Sequence, residues 1–174
     1  MRGIGTLAVT AVWVTTTTGC SHLYEEATDA ARDHMAQVHV DTVSCLTRGV
    51  AADPEVDRVR QLISMSCTGT RSEEPADEQT VAASFQEGSW LLDLDESKPT
   101  WNVEVLDVGY ATRSQAHDTQ HRAVIQCWTT TVSFEPTAMT PPAKLDCPVG
   151  VEGHVVGRDA LEVDSLVTTA PSWE

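Results

Sequence analysis

The sequence predicts an α+β fold, with an N-terminal helix or helices packed on a C-terminal antiparallel β-sheet and two disulfides tying the elements together. Three observations carry this expectation. Apolar and small residues recur at spacings of three and four from Leu23 to Cys45. Three segments between residues 90 and 134 are rich in Val, Ile, Thr, Trp and Tyr and alternate in the manner of strands. Once Cys20 is set apart, four cysteines remain, Cys45, Cys67, Cys127 and Cys147, an even number suited to two bridges. At 174 residues the chain has room for one compact domain.

The first element reads as a helix over residues 22 to 47. Leu23, Ala27, Ala30, His34, Val38, Thr42 and Cys45 form its stripe, flanked by Met35 and Leu46. Ser21 is a cap candidate, Glu25 and Glu26 suit the first turns, and Gly49 offers a stop. Asp53-Pro54-Glu55 predicts a second helix start, with a cap and a Pro in the first helical position. Residues 62 to 67 read equally as helix or strand, because Ile63, Met65 and Cys67 alternate with Leu62, Ser64 and Ser66. Residues 71 to 79 are polar and interrupted by Pro75, a loop signature, and residues 80 to 87 suit either helix or strand, ending at Gly88.

Three strands are expected at residues 90 to 94, 101 to 110 and 122 to 134, separated by turns near 97 to 99 and 114 to 120. In the second, Trp101, Val103 and Val105 share one parity while Leu106, Val108 and Tyr110 take the other, so a bulge near Leu106 is expected to bring both sets to one core. Pro136, Pro141 and Pro142 interrupt regular structure before residues 144 to 149. The domain is expected to span residues 20 to 156, followed by a tail over 157 to 174 whose end is disordered. Cys127 and Cys147 fall on neighbouring extended segments, which favours their pairing and leaves Cys45 with Cys67. Two helices folded back on one another would offset that second pair by roughly 15 Å, so it requires residues 62 to 67 to be extended.

The N-terminus has a different logic. Arg2 supplies a positive charge, and residues 4 to 14 form an apolar run too short for a bilayer, which needs about 20 residues. A polar stretch follows and ends in Thr17-Thr18-Gly19-Cys20, which resembles the lipobox of bacterial lipoproteins, with Thr17 in the position usually held by Leu. The resemblance implies a signal peptide over residues 1 to 19, and a diacylglyceryl thioether on Cys20, commonly with a further acyl chain such as palmitate on its amino group. Two or more chains give stable anchoring at about 0.8 kcal/mol per buried methylene. The expected location is the extracytoplasmic face of the cell membrane, an oxidising setting that suits disulfides. The basic residues are nearly all Arg, with Lys only at Lys98 and Lys144, a bias resembling proteins of high-GC bacteria.

The chain carries 26 acidic and 11 basic residues, a formal charge of −15, and cleavage before Cys20 would remove Arg2 and no acid. Such a surface repels phosphate backbones and anionic headgroups, which excludes electrostatic binding of nucleic acid and leaves the lipid as the link to the membrane. A protein with a basic face, or another envelope component, is the expected partner.

No motif points to catalysis or to a cofactor. There is no G-x-S-x-G, H-E-x-x-H or Gly-rich phosphate loop, and pairing of four cysteines leaves no nucleophilic thiol. His117 and His121, with Asp118 between them, are the one pair at metal-ligand spacing, but on a turn that spacing fixes no geometry. His34 and His39 do not share a helix face, and His34 reads as a partly buried polar group. Asp93, Asp95 and Glu96, and the loop acids Glu73, Glu74, Asp77 and Glu78, lack the order of a calcium loop. Trp90, Trp101 and Trp128 read as core, and Trp173 as exposed. The expectation is therefore a non-enzymatic binding module, with an envelope hydrolase or a small-ligand carrier as alternatives. A polar cleft, an apolar cavity or neither discriminates among them.

Overall fold

The computed structural model describes residues 18–68, 87–148, 151 and 160–167. The expected leader, the acidic loop, most of residues 80 to 87 and the C-terminal Trp173 lie outside these residues. An N-terminal helix packs on a mixed six-stranded sheet. The elements are helix α1 (Thr18–Ala52), helix α2 (Val56–Gln61), a π-helical turn (Leu62–Ser66), and strands β1 (Gly88–Asp95), β2 (Thr100–Gln115), β3 (Asp118–Phe134), β4 (Thr137–Met139), β5 (Ala143–Leu145) and β6 (Ala160–Glu162). Among the described residues no helix is long and apolar enough to cross a membrane.

Helix α1 is longer than its sequence signals. It continues upstream through Ser21, which therefore lies within the helix and not at its cap position, and downstream through Gly49. Gly49 serves packing rather than termination: a Cβ there would stand 2.4 Å from the Leu62 side chain. The helix ends one residue before Asp53, whose own α conformation is disfavoured by Pro54. The second helix begins three residues past Asp53, at Val56, with Glu55 at its cap position.

Residues 62 to 66 form the π-helical turn and are not extended, yet Cys45 and Cys67 are bridged, with Cα atoms 5.6 Å apart. Leu62 meets Gly49, and Cys67 meets Cys45 one helical turn back along α1. Helix α2 is thus an excursion that leaves α1 and returns at Leu62, which removes the axial offset expected of two antiparallel helices. The second bridge, Cys127–Cys147, joins β3 to the segment after β5, with Cα atoms 5.1 Å apart.

Strands β2 and β3 pair without interruption from Thr100 opposite Ser133 to Gln115 opposite Asp118. They are joined by the two residues Ala116 and His117, and Ala116 takes the positive φ of 53° that so short a connection favours. Strand β1 covers the other edge of β2. The free edge of β3 takes three short strands in turn: antiparallel β4 and β5, and parallel β6. The sheet is mixed, where an antiparallel one was expected, because the chain returns after β5 to lay β6 along residues 123 to 125 of β3. The described fold extends past residue 156, since β6 joins the sheet and Val163 and Val167 pack with Ala30, Ala31 and Met35.

No bulge occurs in β2. The register irregularity lies in β1, between Leu91 and Asp93. The two parities of β2 remain on opposite faces because each face has its own apolar cluster. Trp101, Val103 and Val105 pack with Leu46, Val50, Val59, Ile63 and Trp128 under α1. Leu106 and Val108 pack with Ala123, Ile125, Cys127 and Val151 on the far side. Helix α1 lies so close to the first face that a Cβ on Gly109 would stand 2.1 Å from the Ala31 carbonyl oxygen and 2.3 Å from the Met35 amide nitrogen.

Candidate functional site

The α1-facing parity of β2 runs Trp101, Val103, Val105, Asp107, Gly109, Ala111, and so sets a carboxylate among core residues. Asp107 is fully buried. Above it, α1 contributes His39, in phase with Met35, Thr42 and Leu46 and only 2% exposed. Strand β1 contributes Ser89, opposite Asp107, and β3 contributes Gln126 and Trp128. Pairing and helix packing thus bring polar groups from four elements to one carboxylate.

Asp107 Oδ2 meets His39 Nδ1 at 2.8 Å, the Trp128 indole N–H at 2.7 Å and the Gln126 amide nitrogen at 3.2 Å. Ser89 Oγ donates to Oδ1 at 2.6 Å and lies 2.6 Å from Thr42 Oγ1. An indole nitrogen only donates, and the Gln126 amide is oriented by the Val167 N–H, which donates to its Oε1 at 3.0 Å. Asp107 therefore accepts from four donors, three on Oδ2 and one on Oδ1, the hydrogen-bonding inventory of a carboxylate. That places a proton on His39 Nδ1 and directs the other ring nitrogen, Nε2, away from Asp107. The His39 ring also stands edge-on to Trp128, with centroids 5.1 Å apart. A buried charge is tolerated only with this degree of compensation.

The His39 side chain is 3% exposed, and it lines a surface groove of about 340 Å³ together with Val40, Val43, Ser44, Thr47, Arg48 and Pro142. The groove runs between α1 and the connection from β4 to β5. A larger hollow of about 440 Å³ beside β5 and β6 is lined by Lys144, Asp146, Glu162 and Asp164, but there Lys144 is already paired with Glu162.

No protein-family model matches this chain, and neither does a curated protein or a solved structure.

The residues singled out from the sequence scatter. Cys20 falls in the first turn of α1. The four other cysteines form the two bridges. His117 sits exposed in the β2–β3 turn, while His121 lies on β3, where its Nδ1 meets Tyr110 Oη at 2.8 Å and Thr112 Oγ1 at 3.0 Å. Among the described residues no group of three or more His, Cys, Asp or Glu is arranged to hold a metal. His34 is half-buried, its Nδ1 2.8 Å from the Tyr110 carbonyl oxygen. Asp93 and Glu104 face each other across β1 and β2 on the outside of the sheet. Glu96 is engaged by Arg60, whose guanidinium meets both carboxylate oxygens at 2.6 and 2.5 Å. That hydrogen bond, with the nearby positive charges of Arg60 and Lys98, holds the Glu96 carboxyl below its ordinary value against an opposing effect of burial. Trp128 was expected in the core and Thr42 on the helix stripe, as they are found, but the convergence of His39, Ser89 and Gln126 on a buried Asp107 was not anticipated.

Proposed function

We propose that this chain is an extracytoplasmic lipoprotein, anchored through Cys20, whose domain works by binding and not by turnover. The observation that carries the second half is the wiring at Asp107. Serine, histidine and aspartate converge there, the ingredients of a nucleophilic triad. In such a triad the serine gives its proton to the histidine nitrogen opposite the aspartate. Here Ser89, itself only 4% exposed, donates to Oδ1 of the carboxylate while His39 meets Oδ2, so Ser89 sits beside the histidine on the aspartate and does not extend the relay. The network is a clamp that joins α1 to three strands, and it holds the His39 ring fixed at the wall of the groove.

The anchor half is supported by Thr17-Thr18-Gly19-Cys20 after an apolar run. Because the helix stripe is buried from Leu23 onward, an acyl group on Cys20 would be joined to the fold with no flexible spacer. The groove at His39 would then stand at a set distance along the helix, about 28 Å from the lipidated residue at 1.5 Å per residue. The acidic surface favours a partner with a basic face, captured less well as salt shortens the Debye length below about 8 Å.

The test uses the full-length protein in its own membrane. Wild type takes up labelled fatty acid and fractionates with membranes, and Cys20→Ala does neither. Wild type captures a specific envelope component at low salt and loses it at high salt, while assays for hydrolysis of wall glycans, peptides and esters stay silent. Membrane retention of Cys20→Ala would overturn the anchor. Turnover abolished by Ser89→Ala or by His39→Gln would overturn the binding reading.

A further inference from the structure

The groove at His39 has a chemical character of its own. Val40, Val43 and Pro142 give it apolar walls, and the one formal charge among its lining residues is Arg48. In a chain with 26 acids and 11 bases, a cation without a carboxylate is unexpected. Arg32, Arg58, Arg60 and Lys144 each pair with an acid, and Arg113 lies in a hollow beside Glu26, Asp29 and Asp33. Arg48 forms no ion pair among the described residues. Its helical neighbours three and four positions away, Ser44, Cys45, Ala51 and Ala52, carry no acid. Its Nε donates to the Ser44 carbonyl oxygen at 3.1 Å, so the guanidinium is folded back along α1 toward the groove. Ser44 lies five positions beyond His39, roughly 8 Å along the axis, with Val40 and Val43 between them.

We propose that this groove is a binding site for a small amphipathic carboxylate, with its apolar part on Val40, Val43 and Pro142 and its carboxylate on Arg48, over the ring of His39. The inference rests on the reading of the domain as a binding module and adds a ligand class to it. Two features support it beyond the apolar walls. The charge complement is specific, because an unpaired guanidinium offers two parallel N–H groups to a carboxylate. The floor is preorganised, because His39 is held on Asp107 by a network that spans four elements, so binding does not have to order it.

The experiment labels the full chain in membranes with a diazirine-bearing medium-chain carboxylate, alongside the matching alcohol and quaternary ammonium, and maps the labelled peptide. The carboxylate is expected to label the peptide containing Val40 to Arg48, saturably, with octanoate competing. Arg48→Gln should weaken that labelling about tenfold, the size of a charge-assisted hydrogen bond, while Arg48→Lys retains part of it and Val40→Glu abolishes it. Both positions are on the surface side of α1, and retention of both disulfides checks that each variant is folded. Equal labelling by carboxylate and alcohol, no effect of Arg48→Gln, labelling elsewhere in the chain, or no labelling would each overturn the proposal. Those outcomes leave partner capture intact, whereas turnover in the hydrolysis assays would overturn the binding reading without touching the carboxylate site.

Discussion

Replacing Asp107 separates two accounts of the polar core, one in which its charge matters and one in which its number of acceptors matters. In Asp107→Asn the amide oxygen takes the place of Oδ2 and keeps the donors His39, Gln126 and Trp128. The amide nitrogen takes the place of Oδ1 and needs an acceptor, which Ser89 Oγ can become by turning its own proton toward Thr42 Oγ1, 2.6 Å away. That satisfies one of the two amide N–H groups. What is lost is charge assistance over four bonds, about 1 kcal/mol each, offset in part by no longer burying an ion, for a net cost of about 1–3 kcal/mol. In Asp107→Ala the His39 and Trp128 N–H groups are left buried without an acceptor, while Ser89 can turn to Thr42 Oγ1 and Gln126 keeps only a 3.5 Å contact with the Val167 carbonyl oxygen. At about 1–3 kcal/mol for each donor without a good acceptor, with the small cavity added, the cost is about 3–6 kcal/mol, a large share of the ~5–15 kcal/mol that holds a domain together. Reversible urea unfolding of the disulfide-intact protein measures both, and near-UV circular dichroism reports whether Trp128 stays packed. The reasoning fails if the two variants are equally damaging, or if Asp107→Ala lies within about 1 kcal/mol of wild type.

Two further predictions follow from contacts at other points in the fold. Gly109→Ala places a methyl group 2.1 Å from a backbone oxygen and 2.3 Å from a backbone nitrogen of α1, atoms that cannot rotate away. It should cost ~3 kcal/mol or more, the upper end of overpacking, although alanine is the better residue for a regular strand; a midpoint unchanged in urea would refute the close approach. The Arg60–Glu96 pair makes stability depend on acid. The folded value of Glu96 lies below its ordinary 4.5, so the contribution is complete above that pH and is lost as the pH falls through the depressed value. Because both side chains are about one-third exposed, the loss should amount to about 0.5–1 kcal/mol, and a wild-type and Glu96→Gln pair should converge in stability at low pH.

How much of this fold was legible depends on whether the deciding contact is local. The helix stripe, the three main strands and the even cysteine count are local patterns, and α1, β1, β2 and β3 stand where those patterns put them. The ends of α1 are not local. Gly49 looks like a stop, and only Leu62, brought back by the α2 excursion, shows it to be a packing glycine. The supposed bulge in β2 has the same origin. Reading one core forces Leu106 and Val108 to change phase, whereas a sheet covered on both faces needs no change, and the second cluster depends on Val151 and Ala160, far along the chain. Short strands β4, β5 and β6 have three residues each and owe their existence to the free edge of β3.

The site was missed for a more instructive reason, because its signal was present. Met35, His39, Thr42 and Leu46 continue the spacing of Leu23, Ala27 and Ala31, and Asp107 occupies the sheet parity of Trp101, Val103 and Val105. The stripe drawn through Ala30, His34 and Val38 runs one residue behind the buried line of Ala31, Met35 and His39, and so passes over His39. Asp107 is likewise passed over, a carboxylate in the middle of a strand that is otherwise apolar on that face. Each residue alone is ambiguous. Together they are not, since an acid in phase with one buried face and a histidine in phase with the facing one satisfy each other, while either alone would leave a buried charge or donor without a partner. Arg48 carries the complementary lesson: a cation with no acid at three or four positions on either side, in a chain so rich in acids, is visible from sequence. Its meaning appears only when α1 and Pro142 enclose the groove beside it.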